Sequence, residues 1–196
     1  MNVERTAIGG LFVVRSPWIE DRRGAFRETY RQSLIAEACG RPYDFAQGNV
    51  SRSAAGVLRG FHLEPWDKFL QVAAGRALVV ILDPRPGSPT FGKHLRFELS
   101  GEGDQRLLIS EGLANAFWAL EPCVYLNDVS REFTRDGRRG VAWDDPDLRI
   151  DWPGKDPILS DADRFWPRLA SITGLAVSGG LARQENAGSS PAENAR

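Results

Sequence analysis

His62 is one of two histidines in the chain, and its neighbours define the chemistry open to it. Arg59 precedes it and Lys68 follows it, while the segment before them alternates Gln47, Asn49, Ser51 and Ser53. An imidazole exchanges a proton near neutral pH, an ammonium stabilises a developing oxyanion, and guanidinium and carboxamide groups hold polar ligands. These are the parts needed to take a proton from a carbon beside a carbonyl. His62 would be the base, and Lys68 would face the enolate oxygen. A carboxylate behind the imidazole would fix its tautomer, and Asp83 and Asp163 are the candidates. Without such company a lone strand histidine is ordinarily structural.

The rival chemistry is a metal centre. A double-stranded β-helix metal site wants a His-x-His pair with a later Glu and His. Here the matching triplet is His62-Leu63-Glu64, and the later strand Gly112–Phe117 has no histidine. Cys39 and Cys123 lack metal-ligand spacing and are too few for a disulfide framework; both read as small buried hydrophobes. With so few nitrogen or thiolate ligands, no metal and no cofactor are expected.

The elements that must position these residues read as β. Period-two alternation on either side of Ala54-Ala55-Gly56 predicts two strands of a hairpin or a longer reversal. Gln47, Asn49, Ser51 and Ser53 then share one face, as do Gly60 and His62. Gly60 carries no side chain, which leaves room for something to lie against the backbone there. Ala7–Val14 reads as the first strand, and Ala25–Tyr30 alternates so that Phe26 and Glu28 share a face. Phe69–Leu82 reads as two apolar strands broken at Gly75. His94–Leu99, Leu107–Ile109, Ala116–Leu120 and Val124–Leu126 read as further strands. Their spacing predicts an antiparallel sandwich or barrel and not βαβ units. Short helices are expected over Arg31–Cys39 and over Ser160–Leu169, the latter with Ser160 as N-cap and Asp163 at N3.

A length of 196 residues suits one domain with a real core. The net charge of −1 offers no global field for nucleic acid or an anionic membrane. No apolar run reaches membrane-spanning length, so a cytoplasmic protein is expected. The expected domain is 1–177, followed by a small-residue, polar tail over 178–196 that reads as disordered.

Several ordered motifs together carry a resemblance. They are Arg23-Gly24-x-Phe26-x-Glu28, Gln47-x-Asn49-x-Ser51, Gly56-Val57-Leu58-Arg59-Gly60-x-His62 and Ser88-Pro89-Thr90-Phe91-Gly92-Lys93. Trp143-x-Asp145-Pro146 and Ile150-Asp151-Trp152-Pro153 complete the set. From the N-terminus to about Leu169 the chain resembles the dTDP-4-dehydrorhamnose 3,5-epimerase family, cupin-fold enzymes acting on nucleotide-linked 4-keto-6-deoxy sugars. The resemblance implies an all-β cupin jelly roll with short flanking helices, pairing into a homodimer, with a site in each barrel. His62 matches the catalytic base, Asp163 its partner, and Lys68 the lysine near the sugar's 4-keto oxygen. Arg23 and Arg59 match diphosphate ligands, a role suited to a planar bidentate donor. Glu28 matches a thymine contact, and Phe26 would line the base pocket. Gln47, Asn49 and Asp144 match further polar contacts.

The departures are informative. Counting back from Trp143, the family's general-acid tyrosine falls on Phe133, which packs similarly but has no proton to give. Tyr125 lies eight residues earlier, roughly 26 Å along an extended strand, too far to substitute without a sharp reversal. The family's second active-site histidine falls on Asn115. Ala162 stands where a lysine is common, and the loop from His62 to Lys68 is shorter than usual.

The expected function is therefore epimerisation of a dTDP-4-keto-6-deoxyhexose, narrowed to C3 because the donor for C5 inversion is missing. A binding protein without turnover, and an epimerase or isomerase of another nucleotide-linked keto sugar, are the alternatives.

Overall fold

Both faces of the strands on either side of Gly75 are apolar, and the fold explains why. In the computed structural model, which describes residues 1–134 and 139–173, each of these strands belongs to a different sheet of a two-sheet jelly roll. Each is covered on both faces.

The strands are β1 (Asn2–Arg5), β2 (Leu11–Arg15), β3 (Ile19–Asp21), β4 (Gly24–Phe26), β5 (Gln47–Ser53), β6 (Leu58–Leu63) and β7 (Lys68–Ala74). They continue with β8 (Arg76–Leu82), β9 (His94–Ser100), β10 (Gln105–Ile109), β11 (Ala114–Ala119), β12 (Cys123–Val129) and β13 (Arg139–Gly140). One sheet has the order β1-β2-β10-β7-β12-β5, the other β13-β6-β11-β8-β9, and β3-β4 forms a separate hairpin. The pairings between these strands are antiparallel.

Between the sheets lie Leu70 and Val72 of β7, Leu107 and Ile109 of β10, and Val79 and Ile81 of β8. The outer face of the six-stranded sheet presents Phe12, Val14, Phe69 and Leu108 to Ile35 and Tyr43. Ile35 is the buried residue of α1 (Gln32–Cys39), which ends on a left-handed Gly40 whose N–H donates to Ala36 O. The outer face of the five-stranded sheet, Leu58, Val80, Leu82 and Trp118, lies under Trp143, Leu148, Trp152 and Leu169. Each aliphatic side chain so removed from water stabilises by about 1.5–3 kcal/mol. The C-terminal coat is therefore part of the fold and also carries part of the site. No helix among the described residues is long and apolar enough to cross a membrane.

The structure corrects several expectations. β5 and β6 do not pair: β5 adds to β12 in one sheet and β6 to β11 in the other. The small-residue turn between them is the longer reversal, a crossing from wall to wall. The apolar run does break into two strands at Gly75, as read, and β7 and β8 enter different sheets there; an added Cβ would lie 2.1 Å from Pro122 O. The first strand is Asn2–Arg5, and Ala7–Gly10 is a turn leading into β2. β4 ends at Phe26, before Glu28. Residues 161–164 form turns and no helix; the helix of this region, α2, spans Leu169–Thr173. Ser160 still caps locally, its Oγ accepting from Asp163 N at 3.2 Å. The chain then runs down against the sheet, because Asp163 and Trp166 are held there by the site. The tail at 178–196 and the end of the expected 1–177 domain lie outside the described residues.

Candidate active site

Alternation places Gln47, Asn49 and Ser51 of β5 on one face, and that face lines a cleft of about 360 Å³ between the sheets. Across from it in register stand Val129, Asn127 and Tyr125 of β12. The other wall brings Arg59 and His62 of β6 with Asn115 and Phe117 of β11, and Glu64, Trp66 and Phe133 complete the lining. A relay of amides stiffens the β5 side. Phe133 N donates to Gln47 Oε1 at 2.9 Å, Gln47 Nε2 to Asn49 Oδ1 at 2.6 Å, and Asn49 Nδ2 to Asn127 O at 3.2 Å.

His62 Nε2 lies 2.8 Å from Asp163 Oδ1. An ionised carboxylate only accepts, so Nε2 carries the hydrogen and Nδ1 is left as the basic nitrogen. Asp163 is buried, and its own position is fixed by Ser160 Oγ on Oδ2 at 2.8 Å and Trp166 Nε1 on Oδ1 at 3.1 Å. Burial works against its charge, but the hydrogen bonds and charge of His62, with those of Ser160 and Trp166, hold the carboxyl below its ordinary range. Of the two candidate carboxylates, Asp83 is thus the wrong one. It is buried in its own loop, binding Arg85, Ser88 and Thr90.

Lys68 is 1% exposed and stands behind the cleft surface. Its Nζ donates to Asn115 Oδ1 at 2.6 Å and to His62 O at 3.3 Å, and pairs with Glu64 Oε2 at 3.1 Å. Burial pushes the ammonium below its usual range, with Glu64 opposing. Asn115, which lines the cleft, thereby stands between this charge and the cleft. Gly60 has a different reason from the one expected. What lies against it is the backbone of β11, for an added Cβ would sit 2.6 Å from Asn115 O, at φ +120°. The register of β11 on β6 shifts between Asn115 and Phe117 at this contact.

Arg59 lines the cleft and is steadied by Ser53 Oγ at 3.2 Å and Arg52 O at 3.3 Å. Arg23, Phe26 and Glu28 are not brought to it. Arg23 pairs with Asp21, Glu28 with Arg31 at 2.7 Å, and Phe26 is 65% exposed on β4. Asp144 is exposed in a separate shallow groove with Trp143, Arg149 and Trp152. Phe133 reaches the cleft with its ring edge-on to Trp66, at 6.3 Å between centroids.

Trp66, Phe117 and Asn127 line the cleft without a signal read from the sequence, and Glu64 and Tyr125 line it too, although neither is expected there as a ligand contact. Chain distance separates Tyr125 from Phe133, yet both line the cleft, since Phe133 N bonds the Gln47 side chain, and Gln47 is the β5 partner of Val129 at the end of β12. The available signal was the alternation Tyr125-x-Asn127-x-Val129, which places all three on one face. His94 is buried on β9, away from this lining. Among the described residues no group of three or more His, Cys, Asp or Glu is gathered as metal ligands would be.

A family model described as dTDP-4-dehydrorhamnose 3,5-epimerase matches residues 5–171. The dTDP-4-dehydrorhamnose 3,5-epimerase of Pseudomonas aeruginosa is 38% identical over 169 residues, covering 84% of this chain and 93% of that protein. Among solved structures, NovW, a 4-keto-6-deoxy sugar epimerase of Streptomyces spheroides, superposes with a TM-score of 0.85. It is 32% identical, over 90% of this chain and 92% of NovW. ChmJ, a 3'-monoepimerase of Streptomyces bikiniensis in complex with dTDP-quinovose, gives 0.83 at 31% identity, over 88% and 91% of the two chains.

Proposed function

The chain belongs to the dTDP-4-dehydrorhamnose 3,5-epimerase family of carbohydrate isomerases, and from that premise we propose that it epimerises a dTDP-linked 4-keto-6-deoxyhexose mainly or only at C3. The observation that carries the reading is the His62–Asp163 pair, its carboxylate buried and its imidazole opening on the same cleft as Asn115, which relays Lys68, with Phe133 at the mouth. His62 Nδ1 takes the proton from C3, and the C–H electrons move into the C3–C4 bond while the carbonyl electrons move to O4. Asp163 stabilises the imidazolium through Nε2, and the Lys68 charge stabilises the enolate oxygen through Asn115. Water delivers a proton to the opposite face of C3, restoring the ketone with inverted configuration, and His62 returns its proton to solvent.

Inversion at C5 asks for a donor at the place where the family resemblance sets a tyrosine and this chain has Phe133. General acid catalysis is typically worth 10²–10⁴-fold, about 3–5 kcal/mol, so its loss slows that step selectively. The test is deuterium wash-in from D₂O, followed separately at C3 and C5. Exchange at C3 with little at C5 is expected; equal rates overturn the narrowing. One observation favours a second reading. Tyr125 lines the cleft from the sheet opposite His62, and burial pushes its phenol up, keeping the proton on. C5 exchange that disappears in Tyr125→Phe would assign it the donor's part.

We also propose a homodimer in which β3-β4 of one copy serves the cleft of the other. Arg23, Phe26 and Glu28 stand outside their own cleft, and Ile19 and Phe26 are each 65% exposed on a hairpin paired to neither sheet.

A further inference from the structure

Among the described residues, five buried side-chain polar atoms have no hydrogen-bond partner, and three belong to residues of the cleft. They are Trp66 Nε1, Tyr125 Oη and Asn127 Oδ1. A polar atom withdrawn from water and left unpaired is costly, so each such atom calls for a partner, an ordered water or a bound ligand, and in a cleft a ligand can supply it. We infer that Trp66, Tyr125 and Asn127 form a hydroxyl-reading set that grips the hexose ring and decides which sugar the cleft accepts. The inference rests on the nucleotide-sugar reading and adds the residues that recognise the sugar itself.

The chemistry of the three atoms is that of a polyol partner. The indole N–H only donates, the amide oxygen only accepts, and the phenol does both, so together they match hydroxyls in either role. None carries charge, which distinguishes them from the Arg59 part of the same cleft, where a phosphate is better served.

Their placement is equally specific. Tyr125 and Asn127 alternate on β12 and face the same way, with Cα atoms roughly 7 Å apart, a span suited to one pyranose ring and its substituents. The Tyr125 ring is stacked on Phe117 at 4.2 Å and 14°, so its hydroxyl cannot swing to another partner. Asn115 lies close enough to oppose slightly the effect of burial on the phenol, but its oxygen is taken by Lys68 at 2.6 Å and the Tyr125 hydroxyl lacks a hydrogen bond of good geometry. The backbone at Asn127 is held through its oxygen, which accepts from Asn49 Nδ2 at 3.2 Å. Trp66 is steadied edge-on by Phe133.

Tyr125 and Asn127 belong to the six-stranded sheet and His62 to the five-stranded one. A ring held by the first wall therefore turns its other face to the base. Phosphate contacts alone would not set that orientation.

The experiment is calorimetric titration of the full chain with dTDP and with dTDP-quinovose, whose 4-hydroxyl in place of a ketone prevents enolisation. The wild type should bind dTDP-quinovose more tightly than dTDP. Tyr125→Phe, which keeps the stack on Phe117, and Trp66→Phe should each weaken dTDP-quinovose roughly five- to tenfold, as expected for loss of one hydrogen bond to a buried partner, and leave dTDP within about twofold. An unchanged preference in both variants, or an equal loss for both ligands, overturns the inference. Turnover of a 4-keto sugar by a wild type that does not prefer dTDP-quinovose sinks the sugar-reading set while the epimerase reading stands. Preference lost in the variants, with no wild-type turnover, sinks the epimerase reading alone. Failure to bind either ligand sinks both.

Discussion

His62 Nε2 and Asp163 Oδ1 meet at 2.8 Å across 101 residues of chain. The contact joins a strand of the five-stranded sheet to the segment that coats that sheet's outer face. Because Ser160 and Trp166 also bind this carboxylate, replacing it by an amide disturbs a network as well as a pair. Asp163→Asn should lower kcat by about 10²-fold or more, with KM changed only a few-fold. Steady-state kinetics beside a thermal melt checks this, and an unchanged kcat in a folded variant removes Asp163 from the mechanism.

Phe133 is 46% exposed at the cleft mouth, so a hydroxyl can be added there without burying it. Phe133→Tyr should raise deuterium exchange at C5 by about 10²-fold while C3 changes little. If C5 exchange does not move, the donor site is not where the resemblance puts it.

Acid should act through Asp163 and Asp83. Burial opposes the charge of both; the bonds from His62, Ser160 and Trp166 around Asp163, and from Arg85, Ser88 and Thr90 around Asp83, hold each folded carboxyl below 3.8. A depressed folded value means the unfolded chain binds more protons in that window. Their contribution to stability is full above the unfolded value and is lost as pH falls through it toward the folded one. Asp83→Asn should therefore be less stable at pH 7, where Arg85 loses its ion pair, and should show a shallower decline below about pH 4. Urea unfolding across pH 2.5–7 reads both; a parallel decline in variant and wild type would remove Asp83 from the acid response.

Gly60 faces the backbone of β11 with φ +120°, and an added Cβ would approach Asn115 O to 2.6 Å and the Ala116 Cα to 2.7 Å. Gly60→Ala should cost about 3 kcal/mol or more, from strain and from the strands being forced apart. That lowers Tm by roughly 6–12 °C for a chain of this size. Activity should fall with it, because His62 and Asn115 face each other in register beside this contact. A Tm within 2 °C of wild type would contradict the packing argument.

If Arg23 serves the neighbouring copy, Arg23→Ala and His62→Asn should each be inactive alone yet regain activity when mixed and allowed to exchange subunits. Turnover approaching a quarter of the wild-type value is the statistical expectation for random dimers with one intact site in each mixed pair. No recovery, with exchange verified by mass, would place Arg23 on its own cleft.

The residues themselves fixed a good deal. Alternation over Gln47–Ser53 depends only on the pleat, so the polar face of β5 could be read directly. The apolar runs around Gly75 could be read as strands because a buried strand needs no polar face. That His62 would stand in a polar cleft with Arg59 was legible from the residues and ordered motifs around it. What sequence order could not supply was which strands become neighbours, since that follows from how two sheets bury their faces against each other. Residue types left Asp83 and Asp163 both open and only the resemblance favoured Asp163; tertiary structure set Asp163 against His62, sent β5 and β6 to opposite walls, and put the β11 backbone against Gly60. It also folded Tyr125 and Phe133 into one cleft. The physical reason is the same in each case: a local pattern states which way a side chain points, while the partner it meets is set by packing between segments distant in the chain.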